Sequence, residues 1–124
     1  MEVSFAKIKA FNTGRVLLGL RSKFCTDPFT WNYFGGTVKE NESPRKALER
    51  ELSEEILNLG RHAYHKRRIY NFEGRSIHIF TIVVIKEFDP ELNWEHIGSV
   101  WVVDNILSVP RNLHPTIMKI KNME

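Results

Sequence analysis

The sequence is poor in the features that mark membrane proteins and disulfide-stabilised secreted proteins. Its 124 residues include one cysteine, Cys25, and no apolar run approaches the roughly 20 residues that a membrane-spanning helix needs. A single cysteine excludes an internal disulfide and suits a reducing compartment. The N-terminus, MEVSFAKIKAF, carries an acid at Glu2 and has no unbroken apolar core, so it does not resemble a signal peptide. We therefore expect a cytoplasmic protein without a membrane segment.

What the sequence does contain is the composition of one globular domain. Hydrophobic residues make up 42% of the chain and charged residues 27%, and a chain of this length can bury one core of useful size. It has no internal repeat, low-complexity tract or linker. We expect a single domain over residues 1–124, while the oligomeric state is not readable from the sequence.

The net charge of +3 hides an uneven distribution of acids and bases. Acids are concentrated between Glu40 and Glu55, and bases prevail between Arg61 and Arg75. A basic segment could hold a polyanion such as RNA. A solvated strand and loop surface is the commoner origin of such a run, and we favour it, because nothing else in the sequence supports RNA as a partner.

Periodicity and turn signals predict strands on both sides of one strong helix. The predicted strands cover residues 3–11, 15–20, 64–70, 77–88 and 99–106. Residues 12–14 and the FEGRS stretch are turn signals, and the aromatic residues 24–34 predict an ordered loop that packs on its rings. Ser43 and Pro44 predict the helix start, Gly60 its end, and residues 114–123 a short C-terminal helix. This order indicates an α+β domain, an α/β/α sandwich around a mixed β-sheet.

The predicted helix carries three carboxylates on one face. Glu54 and Glu55 fall about 60° and 40° to either side of Glu51 on the helical wheel, beside the apolar stripe that can bury against a sheet. Like charges at this spacing repel, whereas a hard divalent cation such as Mg²⁺ requires a cluster of oxygen ligands. A metal site is one explanation. A solvent-facing helix, with its acids partnered by neighbouring basic residues, is the other.

The flanking residues make this stretch resemble the Nudix box. Gly36 is followed after five residues by Glu42, and after seven more by the run from Arg50 to Glu55, Arg-Glu-Leu-Ser-Glu-Glu. Three further residues are similar to the lead-in of the family: Gly35, Trp31 and the basic Arg21. Many fixed spacings match at once, so the resemblance is specific.

Two positions depart from the family pattern. Phe34 stands where a proline commonly precedes the paired glycines, and Leu57 and Asn58 replace the Gly-aliphatic pair that closes the box. Because the usual capping glycine is missing, we expect the helix to run about one turn further, to Gly60. No carboxylate is lost, so the departure touches the following loop and not the metal site.

The resemblance implies a pyrophosphohydrolase that uses Mg²⁺ or Mn²⁺. Such enzymes direct water at a phosphoanhydride of a nucleoside diphosphate linked to another group, as in nucleoside triphosphates, dinucleoside polyphosphates and nucleotide sugars. The implied metal site comprises Gly35, Glu51, Glu54 and Glu55, and the implied substrate contacts are Arg21 and Gly36. Arg50 points away on the wheel and takes an ion-pairing role. Glu42 either braces the loop or joins the metal shell.

The sequence offers more than one candidate for the general base. Box glutamates such as Glu51 serve in some Nudix enzymes, and a later loop acid serves in others. Glu95, six residues before Trp101, resembles that loop acid, and His96 is a further candidate. Elsewhere, His62 and His65 lack partners for a zinc set.

Two further hypotheses concern aromatic residues and an alternative function of the whole domain. Trp31, Tyr33 and Trp94 could stack on a base, although aromatic residues more often pack in the fold. The alternative function is a catalytically silent Nudix-fold module that binds a nucleotide or RNA through residues 61–75. The retained carboxylates argue against that alternative.

Overall fold

The computed structural model describes residues 1–104 and 112–123. Within them the chain forms seven strands and two helices: β1 Glu2–Ala10, β2 Val16–Arg21, β3 Trp31–Asn32, β4 Phe34–Thr37, α1 Pro44–Glu55, β5 Ala63–Phe72, β6 Arg75–Val84, β7 His96–Val102 and α2 Pro115–Met123. The predicted C-terminal helix is therefore present. No helix in these two ranges is long and apolar enough to cross a bilayer.

The strands form one mixed sheet with β1 near its centre. Its main path runs β3-β2-β1-β6-β5, β4 also pairs with β1, and β7 also pairs with β2. β6 runs parallel to β1, and the other pairings are antiparallel. β1 thus pairs with β2 along its C-terminal half and with β4 along its N-terminal half. This arrangement places β4, which carries Gly35 and Gly36, beside the middle of the sheet.

A helix covers each face of the sheet. Alternate residues of β1 point to opposite faces, as expected for a strand buried on both sides. Phe5 belongs to the core that α2 closes with Ile117 and Ile120. Ile8 belongs to the core on the other face, where α1 contributes Leu48 and Leu52, and Ile56 just after the helix packs with them. The α/β/α layering inferred from the sequence is confirmed.

Both predicted hairpin turns are confirmed. Gly14 adopts a φ of 74° and donates its N–H to the carbonyl of Ala10 at 2.7 Å, which turns β1 into β2. Glu73 and Gly74 have φ angles of 53° and 71° between β5 and β6. Positive φ at both central residues is the geometry whose twist matches the strands of a two-residue hairpin.

The start of α1 is confirmed and its predicted end is wrong. Ser43 is the N-cap, its side chain accepts the N–H of Lys46 at 3.2 Å, and Pro44 opens the helix. The helix ends at Glu55 instead of Gly60, because Ile56 is extended and forms a β-bridge with Leu92. Pairing with another part of the chain replaced the last helical turn. Gly60, with a φ of 69°, serves the turn before β5.

Three other expectations need adjustment. The aromatic segment 24–34 is more regular than a loop, since it contains β3 and the first residue of β4, yet Phe24 and Phe29 at its start are exposed and do not pack inward. The predicted strand 77–88 ends at Val84. The predicted strand 99–106 is β7, which begins at His96, and its expected residues 105 and 106 lie outside the described ranges.

Candidate active site

Two glycines of β4 bring its backbone close to the sheet and to α1. Gly35 has a φ of 142°, and a Cβ there would stand 2.0 Å from the carbonyl oxygen of Ser4. A Cβ on Gly36 would stand 2.7 Å from the carboxyl carbon of Glu51. Both distances are far below van der Waals contact. Gly35 meets backbone and therefore requires glycine, whereas a side chain at Gly36 would displace the carboxylate of Glu51. The carboxylate of Glu51 occupies the space that a side chain at Gly36 would fill.

Three carboxylates from two separate segments converge beside these glycines. Oxygens of Glu51 and Glu54, on the last turns of α1, and of Glu95, in the turn before β7, all lie within 4.8 Å of one another. Glu51 and Glu95 are half-buried, while Glu54 is exposed. Carboxylate oxygens brought this close are the donor set that Mg²⁺ or Mn²⁺ prefers, so the residues present fit such a cation.

Glu55 lies apart from this group, deep in the protein. Its side chain is 2% exposed, and its Oε2 accepts the N–H of Gly35 at 3.0 Å. Burial raises the pKa of Glu55 well above its ordinary value, and the negative charges of Glu95 and Glu51 raise it further. In this geometry Glu55 holds β4 against the end of α1, and its role as a metal ligand stays a prediction.

His96 packs next to Glu55 and is equally buried. Its Nε2 lies 3.8 Å from Oε1 of Glu55, which is beyond hydrogen-bond distance, and its ring stacks at a tilt on Phe34. Burial lowers the pKa of His96 to about 4, and the charge of Arg21 lowers it further. A neutral imidazole with such a low pKa is a weak proton acceptor at neutral pH, so the geometry favours a packing role.

Arg50 reaches the carboxylate centre instead of pointing away from it. Its guanidinium donates to Glu51 at 2.9 Å, to both oxygens of Glu42 at 2.8 and 3.0 Å, and to the carbonyl of Thr37 at 3.1 Å. Glu42 also accepts the N–H of Lys39 at 2.9 Å. The hydrogen bond from Arg50 is the main cause that lowers the pKa of Glu42 to about 2. Glu42 therefore braces the loop before α1, and the predicted ion-pairing role of Arg50 holds.

Burial also acts on the carboxyl group of Glu51. It raises the pKa of Glu51, and the charges of Glu54 and Glu95 push in the same direction, while Arg50 opposes them. The centre is thus electrostatically strained without a cation. One arginine offsets only part of the repulsion among its carboxylates.

Arg21 stands at the end of β2. Its guanidinium donates to the carbonyl and the hydroxyl of Thr26 at 2.8 and 3.0 Å. Its charge acts on the pKa values of both Glu55 and His96. The structure therefore keeps a cation beside the carboxylates, held by the segment that follows β2.

The other candidates from the sequence do not belong to the carboxylate group. Tyr33 is buried in the α2-side core, and Trp31 packs against that core, whereas Trp94 is exposed. His62 contacts the carbonyl of its neighbour Gly60. The basic residues of β5, Lys66, Arg67 and Arg68, are exposed along an outer strand of the sheet.

A comparison with protein families identifies the family to which the chain belongs. The NUDIX domain family matches residues 3–111, which is most of the chain. The chain belongs to the Nudix hydrolase family. The match spans β1 to β7 and therefore includes the glycines of β4, helix α1 and Glu95.

Individual relatives agree with this assignment. A CTP pyrophosphohydrolase of Escherichia coli (strain K12) is 36% identical over 93 residues, which cover 71% of this chain and 66%, just under two thirds, of that relative. The solution structure of the E. coli ORF135 protein is 30% identical, with a TM-score of 0.54 over 81% of this chain and 71% of the other. The MutT protein from Methanosarcina mazei Go1 shares the fold over 100% of this chain and 96% of its own, with a TM-score of 0.68 at 21% identity.

The departure from the Nudix box at Leu57 and Asn58 has a structural consequence. The N–H of Leu57 donates to the carbonyl of Glu91 at 2.9 Å, and the Asn58 side chain accepts from the N–H of Glu91 at 2.7 Å and donates to the carbonyl of Asp89 at 3.0 Å. Residues 56–58 therefore run alongside residues 89–92 in place of a further helical turn. This contact fixes the segment that leads to Glu95 against the end of the Nudix helix.

Asn93 completes the support of Glu95. Its side chain accepts the N–H of Glu95 at 3.0 Å and donates to Oε1 of Glu95 at 3.2 Å, while its own N–H reaches the carbonyl of Glu55 at 3.3 Å. Sequence reasoning missed Asn93 and the role of Asn58. Asparagine is a known turn residue because its side chain can bond the backbone two residues on, but the partner across the fold is visible only in three dimensions.

Proposed function

We propose that this Nudix hydrolase is a pyrophosphohydrolase that depends on Mg²⁺ or Mn²⁺ and cleaves the phosphoanhydride of a nucleoside diphosphate linked to another group. The observation that carries the proposal is the approach of Glu51, Glu54 and Glu95 within 4.8 Å of one another, from α1 and from a separate turn. Three carboxylates in that arrangement repel unless a cation joins them. The electrostatic strain of the centre is thus relieved by the partner that the proposed reaction requires.

The proposed ligands are Glu51, Glu54 and Glu95, and Glu55 holds Gly35 in place beside them. When bound, a divalent cation would neutralise charge on the phosphate oxygens and orient the phosphate chain. Because neither Gly35 nor Gly36 carries a side chain, the β4 backbone lies against the sheet and the carboxylate of Glu51, close to where the phosphate chain would bind.

Water is the nucleophile in the proposed reaction. Its oxygen forms a bond to one phosphorus of the anhydride, the bridging P–O bond breaks, and the two products share the hydrogens of water. We assign the proton acceptor to Glu51 or Glu95. Burial raises the pKa of Glu51 toward the range that suits a base, and Glu95 is held by Asn93 at the opposite side of the same centre.

Two residues flank the centre with positive charge. Arg50 bonds Glu51 and Glu42, so we assign it to fixing the carboxylate of Glu51. We assign Arg21 to attracting the phosphate chain, because its charge already acts on Glu55. Cys25, a free thiol that contacts the carbonyl of Glu95, supports work in a reducing compartment such as the cytoplasm.

The substrate to test first is CTP, because the E. coli relative is a CTP pyrophosphohydrolase. Purified protein with Mg²⁺ would be incubated with CTP, other nucleoside triphosphates, a dinucleoside tetraphosphate, a nucleotide sugar and ADP-ribose, and the products identified by chromatography. CMP with pyrophosphate would show attack at the bond between the first two phosphates, whereas CDP with phosphate would show attack at the outer bond. Binding without any product would reject the proposal in favour of a silent binding module.

A further inference from the structure

An exposed pair of aromatic rings stands directly beside the carboxylate centre. Phe24 is 71% exposed and Trp94 is 64% exposed. Their rings meet edge to face, with centroids 6.4 Å apart and planes at 70°. They contact each other without entering either core of the sheet. Two large rings that remain this open to water gain little from folding, so packing does not account for them.

The ring pair is tied to Glu95 by backbone contacts. Trp94 lies between Asn93 and Glu95 in the chain. The Asn93 side chain bonds both the N–H and the carboxylate of Glu95, which fixes the backbone that carries Trp94. The N–H of buried Ser22 donates to the carbonyl of Glu95 at 2.8 Å, and the N–H of Phe24 donates to the hydroxyl of Ser22 at 3.3 Å. Both rings are therefore held at a fixed place relative to the carboxylates.

A positive charge accompanies the rings. The ammonium of Lys23 lies 5.2 Å from the centroid of the Phe24 ring, within the range of a cation–π contact. Aromatic faces with a neighbouring cation, beside a site for phosphates, match the chemistry of one ligand in particular. That ligand is a flat nucleobase joined to a phosphate chain.

We propose that Trp94 and Phe24 form a platform in which a nucleobase of the substrate stacks on the ring of Trp94 and meets the ring of Phe24 at an angle, while the phosphate chain lies at Glu51, Glu54 and Glu95. This inference rests on the proposed hydrolysis and adds a specificity-determining surface to it. The base belongs either to a nucleoside triphosphate or to the second nucleoside of a dinucleoside polyphosphate, and the chemistry of stacking is the same for both. Lys23 lies beside the ring and draws the negative ligand toward it.

The test compares ligands with and without a base. Binding of CMP and of ribose 5-phosphate, both with Mg²⁺, would be measured by titration calorimetry for the wild type, Trp94→Ala, Trp94→Phe and Phe24→Ala. Phe11→Ala is the matched control, because Phe11 is 81% exposed and lies at the turn between β1 and β2. Steady-state kinetics with CTP and with a dinucleoside tetraphosphate would show which base uses the platform.

The expected result for Trp94→Ala is a loss of about 5- to 100-fold in CMP affinity, the usual size for removal of one stacking ring, with ribose 5-phosphate unaffected. Trp94→Phe should restore most of the loss, and Phe11→Ala should bind like the wild type. In turnover, KM should rise by a similar factor while kcat changes less than about threefold, since stacking is equal in the ground and transition states. A rise in KM for the dinucleoside substrate alone would show that the platform binds the base of the second nucleoside.

Two results would overturn the inference. Equal losses for CMP and ribose 5-phosphate would show that Trp94 only supports Glu95, and unchanged binding and KM for every nucleotide would show that the rings touch no substrate. The proposed function can fail separately. A wild type that binds CMP through Trp94 but hydrolyses no nucleotide would refute hydrolysis and support the platform, while hydrolysis that ignores Trp94 would do the reverse.

Discussion

Replacing Glu55 with glutamine should make the protein more stable and less active. The wild-type carboxylate is 2% exposed, and burial raises its pKa well above the ordinary value of 4.5. Folding at neutral pH therefore either buries a poorly solvated charge near two other carboxylates or takes up a proton, and both cost free energy. Glutamine keeps an oxygen that can accept the N–H of Gly35 and removes the charge. The variant avoids the desolvation cost without losing the contact.

The size of the gain follows from the burial. Desolvating a polar group without full compensation costs about 1–3 kcal/mol, and more for a charge, so Glu55→Gln should raise the free energy of unfolding by at least about 1 kcal/mol. Unfolding entropy near 2.1 cal/mol/K per residue converts each kcal/mol into about 4 °C for a chain of this length. We expect Tm to increase by roughly 4–12 °C, while turnover falls by about 10- to 100-fold.

The pH dependence gives this prediction its sharpest test. Below pH 4.5 the carboxyl group is mostly protonated in both the folded and the unfolded chain, so the two proteins should differ less than at neutral pH. As the pH rises above 4.5, the unfolded wild type ionises first, and the advantage of the variant should grow. Thermal unfolding in EDTA at pH 4 and pH 7.5, with Glu49→Gln as a control on the same helix, measures the difference. A variant that is less stable at pH 7.5, or an advantage independent of pH, would refute the reasoning.

Three further predictions concern the residues around the centre. Gly36→Ala should fold but lose at least about tenfold in turnover, because its Cβ would press on the carboxylate of Glu51 at 2.7 Å; wild-type kinetics would contradict the close approach. Asn58→Ala should lower the free energy of unfolding by about 1–2 kcal/mol in a urea titration and reduce kcat, since two hydrogen bonds that position Glu95 are lost. Glu42→Gln should remove stability that the wild type gains from Arg50 above pH 4.5 and loses as the pH falls toward about 2. If the free energies of unfolding of the wild type and the variant changed equally from pH 5 to pH 2, this prediction would be contradicted.

Local signals in the sequence located most of the fold correctly. The Ser43 and Pro44 start of α1 and the two hairpin turns depend on neighbours in sequence, so they were readable. The end of α1 was not readable. A capping argument placed it at Gly60, but the bridge between Ile56 and Leu92 ends the helix at Glu55. Long-range pairing overrode a local rule there, as tertiary contacts often do.

The sequence predicted the parts of the candidate site that depend on local spacing, but not the parts that depend on packing between distant segments. Helical spacing brought Glu51 and Glu54 together, and Glu95 was suggested by its distance from Trp101 through the family resemblance. Which carboxylates face one another depends on how α1 packs against the turn before β7, so the inward position of Glu55 needed the structure. The reach of Arg50 into the centre needed it too, because a wheel ignores the length and bending of a long side chain.

The proposed function depends most directly on a cation held by Glu51, Glu54 and Glu95. Mn²⁺ binding, measured by the loss of the free-ion EPR signal, would be compared in the wild type and in glutamine variants of each, with Glu49→Gln as the control. Glu49 lies on the same helix but contacts Arg45 and Tyr64 instead of the centre. We predict that each of the three variants weakens Mn²⁺ binding by about tenfold or more, while the control binds like the wild type. Equal binding by all five proteins, or an equal loss in the control, would contradict the account.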